Sequence, residues 1–295
     1  MPRAQFAQTP LKNVSNRSSL LSTLVEVGMD LSPYIGIGQF GPAYEIMLRN
    51  DCHAPGSVDR SLLHGMVRLC DATAGYLYAE HTPTRIQYRP GSRPALEEYV
   101  RAAVKDAAPN EDRIAGIAWF CSDLGQRTVH DLDGMRVGGT EEELISRGSD
   151  WCADVARVAC VLYQVAGYPC RVVFLADTER AYSGHAIVEL HRSGTWGAVD
   201  PSTSVIYCLP DGRPARTWDL MSDPGLVEAH GPAAYTNPGQ FRRAAIANYF
   251  AWQSGAYDYA VSAPNEYYRP ILEMSDKGWP GGLRWLHGED QAGRR

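Results

Sequence analysis

Between Gly148 and Pro201 the chain passes from one helix into one hairpin with hardly any linker, and this restricts its fold more than any other feature. In GSDWCADVARVACVLYQVAGYPCR, Ser149 predicts an N-cap, while Gly167 and Pro169 predict the stop. Val155, Val158, Ala159, Leu162, Val165 and Ala166 recur at the helical period, with Arg157, Cys160 and Gln164 on the opposite face. The pattern predicts a helix packed along one side. In GHAIVELHRSGTWGAVDPS, apolar residues alternate over His185 to His191, a turn falls at Arg192-Ser193-Gly194, and Thr195 to Asp200 ends at Pro201. A helix feeding straight into such a pair points to an α+β fold, with the helix laid on an antiparallel sheet.

Those two elements also place three reactive side chains. Cys152 falls in the first turn of the helix, where unpaired N–H groups and the positive end of the dipole favour a thiolate. Cys160, two turns deeper, lacks that field and reads as packing. His185 stands eight residues before Ser193 and Asp200 seven after it, so the hairpin brings them within about one residue of direct opposition. A carboxylate that holds one imidazole nitrogen leaves the other to move a proton, as the activation of a thiol requires. Each residue has a plain alternative. A lone cysteine is often a buried hydrophobe, and a cross-strand His–Asp pair is often only a hydrogen bond. Their coincidence favours Cys152 as nucleophile, His185 as base and Asp200 as orienter. Trp151 and Trp196 are candidates to wall a substrate cleft, and Gly184 would allow a close approach to His185.

The order of a helix-start cysteine, then GYPCRVV, GHAIVEL and GTWGAVDPS, resembles the transglutaminase-like superfamily, whose fold is similar to that of papain-type cysteine peptidases. The resemblance covers about Glu111 to Tyr207. It implies a nucleophile helix packed on an antiparallel sheet, with further helices N- and C-terminal, and the same three roles for Cys152, His185 and Asp200. It also implies an oxyanion hole that includes the backbone N–H of Cys152. The side-chain donor of that hole has no assigned position here, and Trp119 and Gln126 are the candidates. No DxDxDG-type loop accompanies the motifs, so the calcium dependence of animal members does not carry over.

The chemistry implied is acyl transfer through an acyl-Cys152 intermediate. The donor is a peptide, protein or carrier-bound acyl group, and the acceptor an amine or water. The alternatives are a peptidase or amidase with the same triad, and a catalytically silent module that binds a peptide.

The rest of the chain sets limits. With 295 residues and 44% hydrophobic content it can bury a sizeable core. Its 28 basic against 34 acidic residues give a net charge of -6 without a like-charge run, which argues against a nucleic-acid partner. No window reaches the apolar length of a membrane span, and MPRAQFAQTPLKNVSNRSS leads into no export-type apolar core. Seven cysteines without a CxxC pair fit reduced thiols and a cytoplasmic setting. Cys52, His53, His64 and Cys70 match no zinc-finger spacing, so neither metal nor cofactor is expected. By texture the chain divides into a mostly helical portion over 1–110, a catalytic core over 111–210, and an aromatic-rich extension over 211–295 that packs on the core. Val58 to Leu77 and Phe241 to Ala260 carry helical periodicity. The many Tyr and Trp of the extension could shield an acyl-enzyme or could simply be core.

Overall fold

The computed structural model describes residues 30–36, 39, 66–79, 86, 88–105, 111–127, 136, 138–149, 151–177, 184–230 and 236–247. Within them lie seven α-helices and six strands: β1 Val67–Leu69, α1 Asp71–Ala79, α2 Pro94–Ala103, α3 Glu111–Arg127, α4 Glu141–Arg147, α5 Cys152–Val165, β2 Cys170–Ala176, β3 Gly184–Arg192, β4 Thr195–Asp200, β5 Val205–Ile206, α6 Thr217–Ser222, α7 Pro224–Ala229 and β6 Arg243–Ala247. The fold is mixed α+β. Its strands form one sheet in the order β1-β6-β2-β3-β4-β5, every neighbour antiparallel.

Strand β2 is buried along its whole length because both faces of the sheet are covered. Val172 and Phe174 of β2, with Ala186, Val188, Leu190, Val199 and Ala245, meet Ile117, Leu144, Val158 and Leu162 from the helices α3, α4 and α5. Val173 and Leu175, with Ile187, Ala198, Ala244 and Ile246, meet Leu77 of α1, Leu220 of α6 and Val227 of α7. Each buried Val, Leu or Phe of β2 stabilises the fold by about 1.5–3 kcal/mol, so the two-sided arrangement anchors this strand heavily.

Helix α5 is buried on all sides from Ala153 to Gln164, which corrects the expectation of one packed and one solvated face. Its polar residues have partners within the protein. Arg157 donates to the Gly139 carbonyl at 2.6 Å and pairs with Asp154 at 3.4 Å, and Gln164 donates to the Cys170 carbonyl at 3.5 Å. Gly138 and Gly139 adopt φ of 80° and 87°, a conformation that costs a side-chain-bearing residue strain, and so can turn their backbone toward α5. Ser149 is not the N-cap. Trp151 is, and Ser149 stands behind it, accepting from the Trp151 N–H at 3.2 Å and meeting Asp154 at 3.3 Å.

Two helical expectations give way to strands. Within Val58 to Leu77, residues 67–69 form β1 and the helix begins only at Asp71; within Phe241 to Ala260, residues 243–247 form β6. RRAAIA is helical by propensity, yet it is inserted between β1 and β2, and pairing on both sides decides its conformation. Residues 248–260 lie outside the described ones. The sheet thus draws strands from all three stretches that texture separates.

Candidate active site

The hairpin turn puts the imidazole and the carboxylate together. Ser193 and Gly194 both take positive φ, 50° and 78°, so the loop is a tight two-residue turn with Arg192 opposite Thr195. Carrying the register Val188↔Val199 one step further sets Asp200 opposite Ile187, two residues from His185. This corrects the one-residue offset expected from the turn, and the difference matters. An offset of one would turn the two side chains to opposite faces, whereas an offset of two keeps them on one face as diagonal neighbours.

His185 Nε2 lies 2.9 Å from Asp200 Oδ2. His185 is 5% exposed and Asp200 0%, so the pair sits in nearly dry surroundings. Asp200 Oδ2 also accepts from the Thr236 hydroxyl, and Oδ1 accepts from the Ser202 N–H at 3.0 Å. Three donors therefore surround a buried carboxylate that would cost several kcal/mol without them. Burial acts to raise the carboxyl pKa, but the His185 charge and these hydrogen bonds outweigh it and hold it below the ordinary 3.8.

The other side of the imidazole meets the nucleophile candidate. With Nε2 on Asp200, Nδ1 is the nitrogen left to face a thiol, and the Cys152 side chain lies close enough to His185 to raise its pKa. Burial pushes the imidazole pKa down. The charge and hydrogen bond of Asp200, helped by the neighbouring Cys152, more than reverse this and lift it to about 10. The structure therefore brings together all three residues predicted from the sequence. Cys152 is partly exposed at the first turn of α5, where its own N–H and those of Ala153 and Asp154 precede the first intrahelical bond, from Val155 to the Trp151 carbonyl at 3.0 Å.

The pH dependence of stability follows from these shifts. The raised imidazole contributes stability that is fully present below its ordinary 6.5 and is lost progressively as pH rises through about 10. The lowered carboxyl contributes stability present above 3.8 and lost as pH falls through its depressed value. A series of thermal melts is expected to show a shoulder of declining stability between neutral pH and about 10, absent from His185→Ala. Identical alkaline limbs in the two proteins would contradict the buried imidazolium.

The remaining candidates separate. Gly184 opens β3 opposite Ala176, and Trp151 is half-buried against the core beside α5. Trp196 is 3% exposed, with the Arg171 guanidinium 4.2 Å over its ring and His191 edge-on at 5.4 Å, so it packs under the sheet instead of walling a cleft. Trp119 is 66% exposed on α3, and no described contact joins it to Cys152. The side chain of Gln126 lies outside the described residues, as do Cys52, His53 and His64. Cys160 is buried and hydrogen-bonds Cys170, in keeping with a packing role. Among the described residues no group of three or more His, Cys, Asp or Glu is placed to hold a metal ion, and no helix is long and apolar enough to cross a membrane.

Sequence reasoning missed Thr236, which comes 36 residues after Asp200, shortly before the 3-10 helix Pro238–Arg242 and outside any motif. Ser202 was within reach, since an Asp two residues before a backbone N–H is the local signature of an Asx turn. No protein-family model, curated protein or solved structure matches the chain.

Proposed function

We propose that the protein is a cysteine-dependent acyltransferase with a papain-like, transglutaminase-like core, acting on an amide or thioester carbonyl and passing the acyl group to an amine. The observation that carries the reading is one buried imidazole bonded to Asp200 and close enough to Cys152 to feel it, with the thiol at the start of a helix.

In the mechanism the Cys152 thiolate attacks the acyl carbon and the carbonyl π-electrons move onto oxygen. The oxyanion is stabilised by the Cys152 N–H at the helix start. Collapse breaks the bond to the leaving amine or thiol, which takes its proton from His185. An acceptor amine then attacks the acyl-cysteine, His185 accepts its proton, and the thiolate leaves. Asp200 keeps the ring turned and charged without itself taking a proton. The peptide, protein or carrier-bound nature of the donor is part of the proposal, as is a cytoplasmic setting.

The test is incubation with a peptide amide, with and without an added primary amine, followed by mass spectrometry. Amine adduct as the main product supports transfer. Free acid as the main product, even with amine in excess, replaces transfer with hydrolysis by the same triad. Neither product, with Cys152 alkylated no faster than an ordinary thiol at neutral pH, leaves a silent peptide-binding module. The aromatic residues of 251–295 that would shield an acyl-enzyme lie outside the described residues, so this assay and not the fold carries the choice of acceptor.

Within the reading, Asp200→Asn is expected to cost less than His185→Ala. The amide retains an acceptor for the ring, and the imidazole still moves a proton when less well oriented. A loss of about 10²- to 10⁴-fold is expected for the asparagine variant, measured as acyl-enzyme formation. A larger loss than that of His185→Ala would contradict the assignment of roles.

A further inference from the structure

Thr236 bonds the same carboxylate oxygen that holds His185, and nothing in the acyl-transfer scheme itself requires it. Its side chain is buried, 4% exposed, and the Tyr207 side chain lies beside it. Tyr207 is itself fixed. Its ring packs against His230 at 5.2 Å and Phe241 at 5.9 Å, and His230 is clamped between the Cys208 N–H at 3.0 Å and the Leu226 carbonyl at 2.7 Å. A chain of side chains therefore runs from helix α7 through Tyr207 and Thr236 to the carboxylate.

Without Thr236 the carboxylate would be tied by the Ser202 N–H on Oδ1 and by His185 alone on Oδ2. One backbone donor on one oxygen leaves the group free to swing about its Cβ–Cγ bond. A second donor on the other oxygen removes that freedom, and in so dry a site water does not substitute readily. The hydroxyl commits its one donor to Asp200.

We propose that Thr236 is a positioning residue for the triad, holding Asp200 Oδ2 where it fixes the His185 ring against Cys152. This rests on the acyl-transfer reading for its purpose, but its test needs no substrate. A role of this kind makes Thr236 part of the positioning machinery, although it belongs to the stretch beyond the sequence motifs.

The experiment is the pH-dependent rate of Cys152 alkylation by iodoacetamide, followed by peptide mass spectrometry, in the native protein and in Thr236→Val, Thr236→Ala, Thr236→Ser and Asp200→Ala. Losing a hydrogen bond to a charged group predicts about a tenfold fall in the neutral-pH rate for Thr236→Val and Thr236→Ala, with serine restoring it. The alkaline limb of both variants moves down from about 10 toward 6.5, because a carboxylate that swings away no longer holds the proton on the ring.

In an Asp200→Ala background the hydroxyl has no carboxylate to hold, so adding Thr236→Val changes nothing further. A merely structural threonine would instead add its effect to that of Asp200→Ala. Additive effects, a rate for Thr236→Val equal to that of the native protein, or failure of serine to rescue would each overturn the proposal. Should valine or the Asp200→Ala background not fold, the profiles of the alanine and serine variants decide in the same way. If native Cys152 reacts no faster than an ordinary thiol at any neutral pH, the triad itself has failed, which is a different outcome from a reactive Cys152 indifferent to Thr236.

Discussion

Cys152→Ala is expected to abolish the proposed acyl transfer, by about 10⁴-fold or more, while leaving the melting temperature close to that of the native chain. The catalytic loss is large because no neighbouring group can replace the sulfur. Cys160 is two turns deeper in α5 and fully buried, a free thiol hydrogen-bonded to Cys170, and Cys121 is buried with its thiol pKa pushed up by its apolar surroundings. The structural loss is small because Cys152 is only partly buried and starts the helix, so alanine removes a single sulfur from the edge of the core. The measurements are acyl-adduct formation by intact mass spectrometry and a thermal melt of each protein. Cys160→Ala is the control, expected to retain activity. Activity lost in that variant and kept in Cys152→Ala would move the nucleophile to the wrong place for everything proposed above.

The largest effect on stability is expected from Glu189→Gln. Glu189 and Arg171 are both 0% exposed, bonded at 2.8 and 2.6 Å, on the sheet face that also carries Trp196. The carboxylate is shared further. Its Oε1 accepts from the Tyr78 hydroxyl at 2.8 Å and the Thr217 N–H at 2.7 Å, so one side chain joins β3 to α1 and to the start of α6. The guanidinium in turn donates to the Leu77 carbonyl at 2.7 Å and lies 4.8 Å over the Tyr78 ring. Removing the charge of Glu189 leaves Arg171 without compensation where water does not reach, a cost of about 3–5 kcal/mol.

That predicts a fall of roughly 10 °C in the melting temperature. The double variant Arg171→Met with Glu189→Leu, which removes both charges, is expected to recover part of the loss, since a buried ion pair often only offsets its own desolvation. A single variant that unfolds with the native chain, in heat and in urea alike, would show that this charge is not buried in solution.

The motif blocks made the Cys152 helix, the hairpin and the three candidate residues legible because each depends on local physics. A helix with no interior glycine or proline ends at Gly167, whose φ is 95°; two residues of positive φ close a hairpin; and strand alternation assigns faces. The exact register was not legible, since it depends on whether Arg192 joins the turn or pairs with Thr195, and that one residue decides which face Asp200 takes.

The strands β1 and β6 were also hidden. Three residues are too few to show a period, and the alanines of β6 favour a helix until two neighbours claim their backbone. Burial of the polar face of α5 was hidden for a related reason: Arg157 looks solvated in any window that omits Gly139 and Glu141.

What the sequence determined by itself was therefore the kind of element at each motif and the residue types able to do chemistry there. The tertiary structure alone decided which polar groups meet, and so brought Thr236 to Asp200 and Glu189 to Arg171 from far along the chain or across strands. The physical reason is range. Propensity, turns and periodicity act within a few residues, whereas the shielding of a charge depends on whichever distant segment the packed core delivers beside it.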